Sequence, residues 1–302
     1  AMADTEFEIL DRAFLRCVRT SARVEKLFEG CRWAEGPAYF PASRSLVWSD
    51  IPNDRMLRWD ETTGATGVFR QPAGYSNGNT VDREGRLVSC EHGGRRVSRT
   101  EHDGSVITVA DRYDGKRLNS PNDLVVKSDG SIWFTDPAYG IDSDYEGNKA
   151  ESELGACHVY RVDPANGQCV IVADDFVRPN GIAFSPDEKL LYIADTGASH
   201  AADGPRHIRV FDVGESGKLA KGRVFATCNA GGFRLDADGR VWASAADGVH
   251  CFQPDGTLIG KIKVPERVAN LEFGGAKRNH LYITATTSLY ALKVPVNGAK
   301  RF

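Results

Sequence analysis

Six equivalent positions along the chain hold five residues that together could bind a hard metal cation, and one glycine. One carboxylate and four carboxamides offer only oxygen donors, which is a set that Ca²⁺ takes, with water filling the remaining places. The set contains neither Cys nor His, so it disfavours softer metals. In any single copy, an Asn before Gly would equally fit a turn or a local backbone cap. The six residues each lie ten or eleven positions before an aliphatic residue: Glu35, Asn77, Asn122, Asn180, Gly231 and Asn270.

The elements that would bring these positions together are indicated by a sequence repeat. Each copy has a polar residue, an apolar run, a turn and a second strand-like run, as in "NGIAFSPDEKLLYIAD" from Asn180. Repeats of about 40 to 50 residues with about four strands each are typical of propeller blades. The aliphatic residues of the second run are spaced by 40 to 59 positions: Leu46, Leu87, Ile132, Leu191, Val241 and Leu281.

The repeat therefore predicts an all-β chain folded as a six-bladed β-propeller, with a pair of β-sandwiches as the alternative. We expect a single domain over residues 1–302, in which residues 1–32 pack on the propeller or close its last blade. Equivalent positions on the innermost strands of a propeller lie around its central axis, so the six candidate residues would form one ring. A helical pattern is found only over residues 5–18.

A second set of polar residues follows the aliphatic anchors. Each member lies four residues after its anchor, and the last two copies have alanine there. We expect these acids to make structural hydrogen bonds, with Asp136 and Asp195 as the two that could act near a metal. The four acids are Asp50, Glu91, Asp136 and Asp195.

The composition excludes several classes of protein. A formal net charge of −3 gives no basic footprint for nucleic acid and no cationic face for a membrane. The seven cysteines are odd in number and form no CxxC pair, which predicts reduced thiols. The chain shows no leader-like segment and no apolar run of about 18 residues. We therefore expect a cytoplasmic protein, although a leader removed earlier would leave no trace.

Several motifs together resemble the gluconolactonase family, which is related to the senescence marker protein regucalcin. They are "WAEGPAYF", "SPNDLVV", "WFTDPAYG", "RPNGIAFSPDEKLLYIADT" and "CEHGGRRVSR", and the likeness runs from about Trp33 to Leu292. The resemblance implies a six-bladed propeller, one divalent cation on its axis and hydrolysis of sugar lactones. It places the metal-binding Glu at Glu35 and the metal-binding Asn at Asn180. Asn122 would be a direct ligand or a substrate contact.

The chain departs from the family pattern at one position. Family members usually have a metal-binding Asp in the fifth blade, where this chain has Gly231, and that Asp is also a candidate base. A water could replace its oxygen but not its basicity. Another group must then accept a proton, and we expect His92 or Asp195 to be that group. His92 resembles one member of the histidine pair of paraoxonase-type lactonases and titrates near neutrality.

These observations predict a lactonase that depends on one divalent cation, Ca²⁺ before Zn²⁺, Mn²⁺ or Mg²⁺. The cation would polarise the lactone carbonyl. We expect Asn77, Asn122, Arg95 and Tyr139 to contact a small-molecule lactone. Two alternatives stay open: a phosphotriesterase-like hydrolase, and a non-catalytic, metal-stabilised propeller that binds a sugar or a protein. Neither the preferred lactone nor the oligomeric state follows from the sequence.

Overall fold

The computed structural model of the chain describes residues 6–299. Nearly all of its regular structure is antiparallel β-sheet, and six sheets of four or five strands follow one another along the chain. The innermost strands of successive sheets contact each other in order, and the last contacts the first. The chain is a six-bladed β-propeller, which confirms the predicted fold class. Within residues 6–299, no helix is both long enough and apolar enough to cross a membrane.

The N-terminal segment begins with two strands that belong to the last two blades. The strands are β1 (Phe7–Ile9) and β2 (Glu25–Glu29), with a 3₁₀ helix over Arg12–Arg16 between them. Of the segment 5–18 that carries a helical pattern, the described residues are helical only over Arg12–Arg16. The backbone of β1 instead pairs with the open edge of the fifth blade, with Phe7 opposite Ile262. This edge offers backbone partners that a local helical pattern does not reveal.

The first four blades are each formed by consecutive strands. Blade one contains β3 (Ala34–Phe40), β4 (Ser45–Asp50), β5 (Arg55–Asp60) and β6 (Thr66–Arg70). Blade two contains β7 (Ser76–Val81), β8 (Leu87–Glu91), β9 (Arg96–Thr100) and β10 (Val106–Ala110), and a hairpin of β11 (Arg112–Tyr113) and β12 (Lys116–Arg117) follows it. Blade three contains β13 (Leu124–Val126), β14 (Ile132–Thr135), β15 (Val159–Val162) and β16 (Cys169–Ala173). Blade four contains β17 (Pro179–Phe184), β18 (Leu190–Asp195), β19 (His207–Val213) and β20 (Leu219–Thr227).

The last two blades combine strands from both ends of the chain. Blade five contains β21 (Phe233–Leu235), β22 (Val241–Ala245), β23 (Gly248–Phe252) and β24 (Leu258–Lys263), with β1 as its outermost strand. Blade six contains β25 (Val268–Gly274), β26 (His280–Ala285) and β27 (Ser288–Lys293), with β2 as its outermost strand. The pairing of β2 with β27 closes the ring by backbone hydrogen bonds. Two short helical turns, α1 (Tyr139–Asp142) and a 3₁₀ helix (Gly197–Ser199), lie in loops.

The core lies between the blades. The six aliphatic anchors begin or nearly begin the second strand of each blade, and none is more than 3% exposed. Each such side chain contributes roughly 1.5 to 3 kcal/mol through the apolar surface that it removes from water. The seven cysteines are free thiols, as predicted, and five of them are buried.

Glycines allow the innermost strands to approach each other closely around the axis. A Cβ at Gly36 would lie 1.9 Å from the carbonyl oxygen of Asn77, and one at Gly78 would lie 2.5 Å from that of Asn122. The Gly78 N–H donates to the same Asn122 oxygen at 2.8 Å. The Asn-Gly pairs therefore mark backbone contact between neighbouring blades, and Asn180-Gly181 lies within β17 rather than in a turn.

We expect Gly78→Ala to lower the free energy of unfolding by about 1 to 3 kcal/mol, because the added methyl group would press on neighbouring backbone. Gly67→Ala is the matched control, because a Cβ at Gly67 meets nothing within 4 Å and the glycine is exposed in β6. Urea denaturation of both variants measures the difference. Equal stability of the two variants would contradict this account of the inter-blade contact.

Candidate active site

The six predicted ring positions lie at one end of the propeller axis, at or just before the start of each innermost strand. Bulges interrupt the pairing of four of these strands at or beside the ring residue, and such bulges redirect side chains. Contacts join ring positions of different blades: a Cβ at Gly231 would lie 3.6 Å from Oε2 of Glu35, and a Cβ at Gly232, the residue after Gly231, would lie 1.9 Å from Oδ1 of Asn270. The fold thus brings the ring together.

Glu35 is the charged member of this ring, and it is 5% exposed. Burial raises the pKa of Glu35 well above its usual value, and the negative charge of Asp123 adds to this rise. A hydrogen bond from the Gly36 N–H to Oε1, at 2.8 Å, opposes it. Among residues 6–299, no Lys or Arg side chain forms a salt bridge with Glu35. A buried carboxylate in this position therefore favours a cation as its partner.

Two asparagines present a carboxamide oxygen without a hydrogen-bond partner. Nδ2 of Asn180 donates to Oγ1 of Thr196 at 3.1 Å, and Nδ2 of Asn77 lies 3.2 Å from Nε2 of His92. In both residues Oδ1 is buried and has no partner in the described part of the chain. Buried polar atoms are nearly always satisfied in folded proteins, so these two oxygens are available to water, a cation or a substrate hydroxyl.

His92, the first predicted base, is fully buried, and both of its ring nitrogens are engaged. Nδ1 lies 3.0 Å from the carbonyl oxygen of Glu146, which can only accept, so Nδ1 carries the proton. Nε2 is then free to accept from the Asn77 amide. Burial lowers the pKa of His92 to about 4, with the bond to Glu146 acting in the opposite direction. This geometry favours a role in orienting Asn77, and the catalytic role stays a prediction.

Asp195, the second predicted base, holds the chain that enters the fourth blade. Its carboxylate accepts hydrogen bonds from the N–H groups of Val177, Arg178 and Gly197 at 2.9 to 3.0 Å. Asp50 and Asp136 accept from backbone N–H groups in the equivalent places of their own blades. The second set of acids therefore acts largely as expected, by fixing the segments that lead into the ring. The predicted catalytic role of Asp195 is not tested by these contacts, but they occupy both of its oxygens.

Arg95 and Tyr139, predicted to contact substrate, are tied to loops on the ring side of the propeller. Nε of Arg95 donates to the carbonyl oxygens of Leu118 and Asn119 at 2.9 and 3.0 Å. The Tyr139 hydroxyl lies 2.7 Å from Oγ1 of Thr196, which in turn contacts Asn180. Both side chains thus support segments that carry Asn122 or Asn180.

Sequence reasoning did not select three residues that shape the site. Asp123 follows Asn122 directly and is 1% exposed, and its negative charge raises the pKa of Glu35. Thr196 follows Asp195 and orients the Asn180 carboxamide. Glu146 lies in the long loop of the third blade, and its negative charge is among those that raise the pKa of Glu35. The sequence holds a signal for this long loop, because the spacing of 59 residues between the anchors Ile132 and Leu191 is the widest in the repeat.

The other end of the channel has a cavity of about 120 Å³. Arg234 and Glu272 line it, and their Nε and Oε2 lie 3.7 Å apart. Arg234 also lies 4.0 Å from Asp123, so its charge is balanced inside the protein. We place the candidate active site at the ring instead, because the unpartnered carboxamide oxygens of Asn77 and Asn180 belong to it.

Comparison with known proteins agrees with this architecture. A gluconolactonase structure from Xanthomonas campestris is 38% identical, has a TM-score of 0.89, and the alignment covers 98% of this chain and 96% of that one. A gluconolactonase of Zymomonas mobilis is 29% identical over 92% of this chain and 83% of its own length. A structure described as a calcium-binding regucalcin, from Agrobacterium tumefaciens, shares the fold at 19% identity, with a TM-score of 0.75 over 93% of this chain and 96% of that one.

The family assignment rests on the match of most of the chain to one family model. The model describes the SMP-30/gluconolactonase/LRE-like region, and it matches residues 33–287. The match confirms the resemblance, and the relatives named lactonases support the prediction of a lactonase. The chain belongs to the SMP-30/gluconolactonase/LRE-like family.

Proposed function

We propose that this chain hydrolyses sugar lactones with the help of one divalent cation, Ca²⁺ before Zn²⁺, Mn²⁺ or Mg²⁺, held at the axial ring. The observation that carries this proposal is that the buried Glu35 and the unpartnered, buried carboxamide oxygens of Asn77 and Asn180 belong to equivalent positions of the axial ring. The relatives named gluconolactonase support the substrate class.

The residues at the ring fit a hard cation. Among residues 6–299, no group of three or more His, Cys, Asp or Glu could hold a metal, so a site here must use amide oxygens. Glu35, Asn180 and Asn122 would hold the cation, and oxygen-rich sets of this kind suit Ca²⁺. When bound, a cation supplies a positive charge that stabilises the negative charge developing on the lactone carbonyl oxygen.

The remaining side chains position the substrate, either directly or through the loops that they hold. The Asn77 oxygen can accept a hydrogen bond from a sugar hydroxyl, because His92 holds the amide nitrogen away from it. Arg95 and Tyr139 act indirectly, because they hold the loops that carry Asn122 and Asn180. Orientation by such supporting groups contributes to catalysis by lowering the entropic cost of reaching the reactive geometry.

The proposal is tested by following proton release from gluconolactone and other five- and six-membered sugar lactones. The protein is assayed after chelation and after restoring Ca²⁺, Zn²⁺, Mn²⁺ or Mg²⁺, with the uncatalysed rate subtracted. We expect activity that is lost on chelation and returns with a divalent cation. Metal binding without lactone turnover would instead support a binding propeller, and turnover of phosphotriesters alone would support the phosphotriesterase alternative.

Two substitutions of His92 separate orientation from proton transfer. Glutamine can accept from Asn77 and donate to the Glu146 carbonyl, whereas phenylalanine can do neither. We expect His92→Gln to retain most of kcat/KM and His92→Phe to lose it, with KM rising as Asn77 loses its orientation. If His92 is the base, both variants should lose roughly 10²- to 10⁴-fold in kcat. Steady-state kinetics at saturating cation measures the outcome.

A further inference from the structure

The long loop of the third blade lies on the ring side of the propeller. It connects β14 to β15 over residues 136–158 and is the longest connection within any described blade. It leaves β14 after Thr135, whose carbonyl oxygen accepts from the Asn122 N–H at 2.9 Å. The loop therefore starts beside a ring residue, in the place where insertions on one face of a repeat fold often carry function.

Close backbone contacts hold this loop in place. A Cβ at Gly147 would lie 2.2 Å from the carbonyl oxygen of Gly140, and one at Gly140 would lie 2.5 Å from Cβ of His92. Nη1 of Arg178 pairs with Asp142 at 2.7 Å and ties the loop to the fourth blade. These contacts stack the loop on His92, so the position of Glu146 is fixed.

Glu146 links to the ring through both its backbone and its side chain. Its carbonyl oxygen accepts from His92, whose other nitrogen contacts Asn77. Its carboxyl group is close enough to Glu35 for its negative charge to raise the pKa of Glu35. Within residues 6–299, no group pairs with or hydrogen-bonds to the Glu146 carboxyl. The side chain is partly exposed, so water and substrate can reach a carboxyl that no charged group of the described chain neutralises, and such an acid beside a ring of polar residues is a candidate functional group.

We propose that Glu146 is the general base of this active site, replacing from the third blade the acid that Gly231 does not supply. This inference rests on the proposed lactonase function. The Glu146 carboxylate takes a proton from water while the water oxygen bonds to the lactone carbonyl carbon and the carbonyl π pair moves onto its oxygen. When this intermediate collapses, the ring C–O bond breaks, its electron pair stays on the leaving oxygen, and Glu146 returns the proton there. The product is one hydroxy acid, and no other reactant is needed.

The electrostatic surroundings of Glu146 suit this role. Burial raises its pKa to about 7, and the negative charge of Asp142 adds to the rise. The charge of Glu146 acts on Glu35 in the ring, and Nδ1 of the neutral His92 lies 3.0 Å from the Glu146 carbonyl oxygen. Only the deprotonated carboxylate accepts a proton, so kcat/KM should rise with pH through about 7 and then level off.

Glu146→Gln tests the proposal, because glutamine keeps the size of the side chain and the backbone contact to His92. We expect kcat for gluconolactone to fall roughly 10²- to 10⁴-fold. KM and Ca²⁺ affinity should change little, and the rise of kcat/KM near pH 7 should disappear. Glu146→Ala should regain part of its activity when formate is added as a small external base. Glu151→Gln, on an exposed position of the same loop, is the control and should keep wild-type kinetics.

The outcomes distinguish this inference from the proposed function. An inactive wild-type protein would overturn the lactonase assignment itself and the role of Glu146 with it. An active wild type with an equally active Glu146→Gln variant would overturn only the role of Glu146. Loss of activity with an unchanged pH profile and no response to formate would mark a structural effect and would also overturn the proposal.

Discussion

Glu35→Gln should lower Ca²⁺ affinity by at least about 100-fold and abolish lactone turnover at micromolar cation. Even residues that only support metal ligands typically change affinity by about 10- to 100-fold, so loss of the charged ligand should exceed that range. The same change should leave the cation-free fold equally stable or more stable, because it removes a buried carboxyl that lies near Asp123. Calorimetry of Ca²⁺ binding and thermal unfolding with and without chelator measure both effects.

Glu35→Gln should weaken Ca²⁺ binding without weakening the cation-free fold, and this combination separates loss of a ligand from misfolding. A variant that merely misfolds would lose stability with and without cation. The control is Glu84→Gln, which removes an acid whose side chain is 65% exposed and distant from the axis. Unchanged Ca²⁺ affinity in Glu35→Gln would refute the assigned site.

The blades were predictable because their signal is repeated six times. Each anchor, such as Leu46 or Leu281, is buried in the same place of its blade, so one packing requirement recurs along the chain. The ring positions followed from that register, and glycines such as Gly78 mark the contacts between neighbouring innermost strands. Repetition turned a weak local pattern into a strong prediction of the fold.

The N-terminal strand β1 could not be found in this way. Phe7 pairs with Ile262, a residue far away in sequence, and only the open edge of blade five makes an extended backbone favourable there. Phe14 packs so tightly on Gly260 that a Cβ at that glycine would lie 2.0 Å from the Phe14 ring. A helical spacing of apolar residues carries no information about either contact.

The sequence predicts which types of residue form the site, but not the role of each one. The sequence identifies His92 as a titratable residue near the ring, but not the buried Glu146 carbonyl that fixes its tautomer. It predicts structural hydrogen bonds for Asp195, but not that three backbone N–H groups donate to its two carboxylate oxygens. The role of His92 depends on its partner, and that partner comes from a loop with no repeat to place it.

Gly231→Asp adds a carboxylate beside Glu35, and its effect on stability should reverse when cation binds. A Cβ at this position would lie 2.8 Å from the carbonyl oxygen of Ala269, so the strand must shift, at a cost of about 1 to 3 kcal/mol. Gly231→Ala carries the same strain without the charge and is the matched control. Without cation, we expect Asp to be less stable than Ala, because its carboxylate faces Glu35.

With Ca²⁺, we expect the order of the two variants to reverse, because a second carboxylate strengthens a hard-cation site. The rise in melting temperature on adding Ca²⁺ should therefore be larger for Gly231→Asp than for Gly231→Ala or the wild type.

If Glu146 is the base, kcat should barely change in Gly231→Asp, since the ring acid would improve cation binding and not proton transfer. Combining Gly231→Asp with Glu146→Gln then asks whether an acid in the fifth blade can supply the missing base. Restored turnover in that double variant would show that the ring and the loop of the third blade are two alternative positions for the same proton acceptor. If Ca²⁺ instead raises the melting temperatures of Gly231→Asp and Gly231→Ala equally, position 231 does not face the cation.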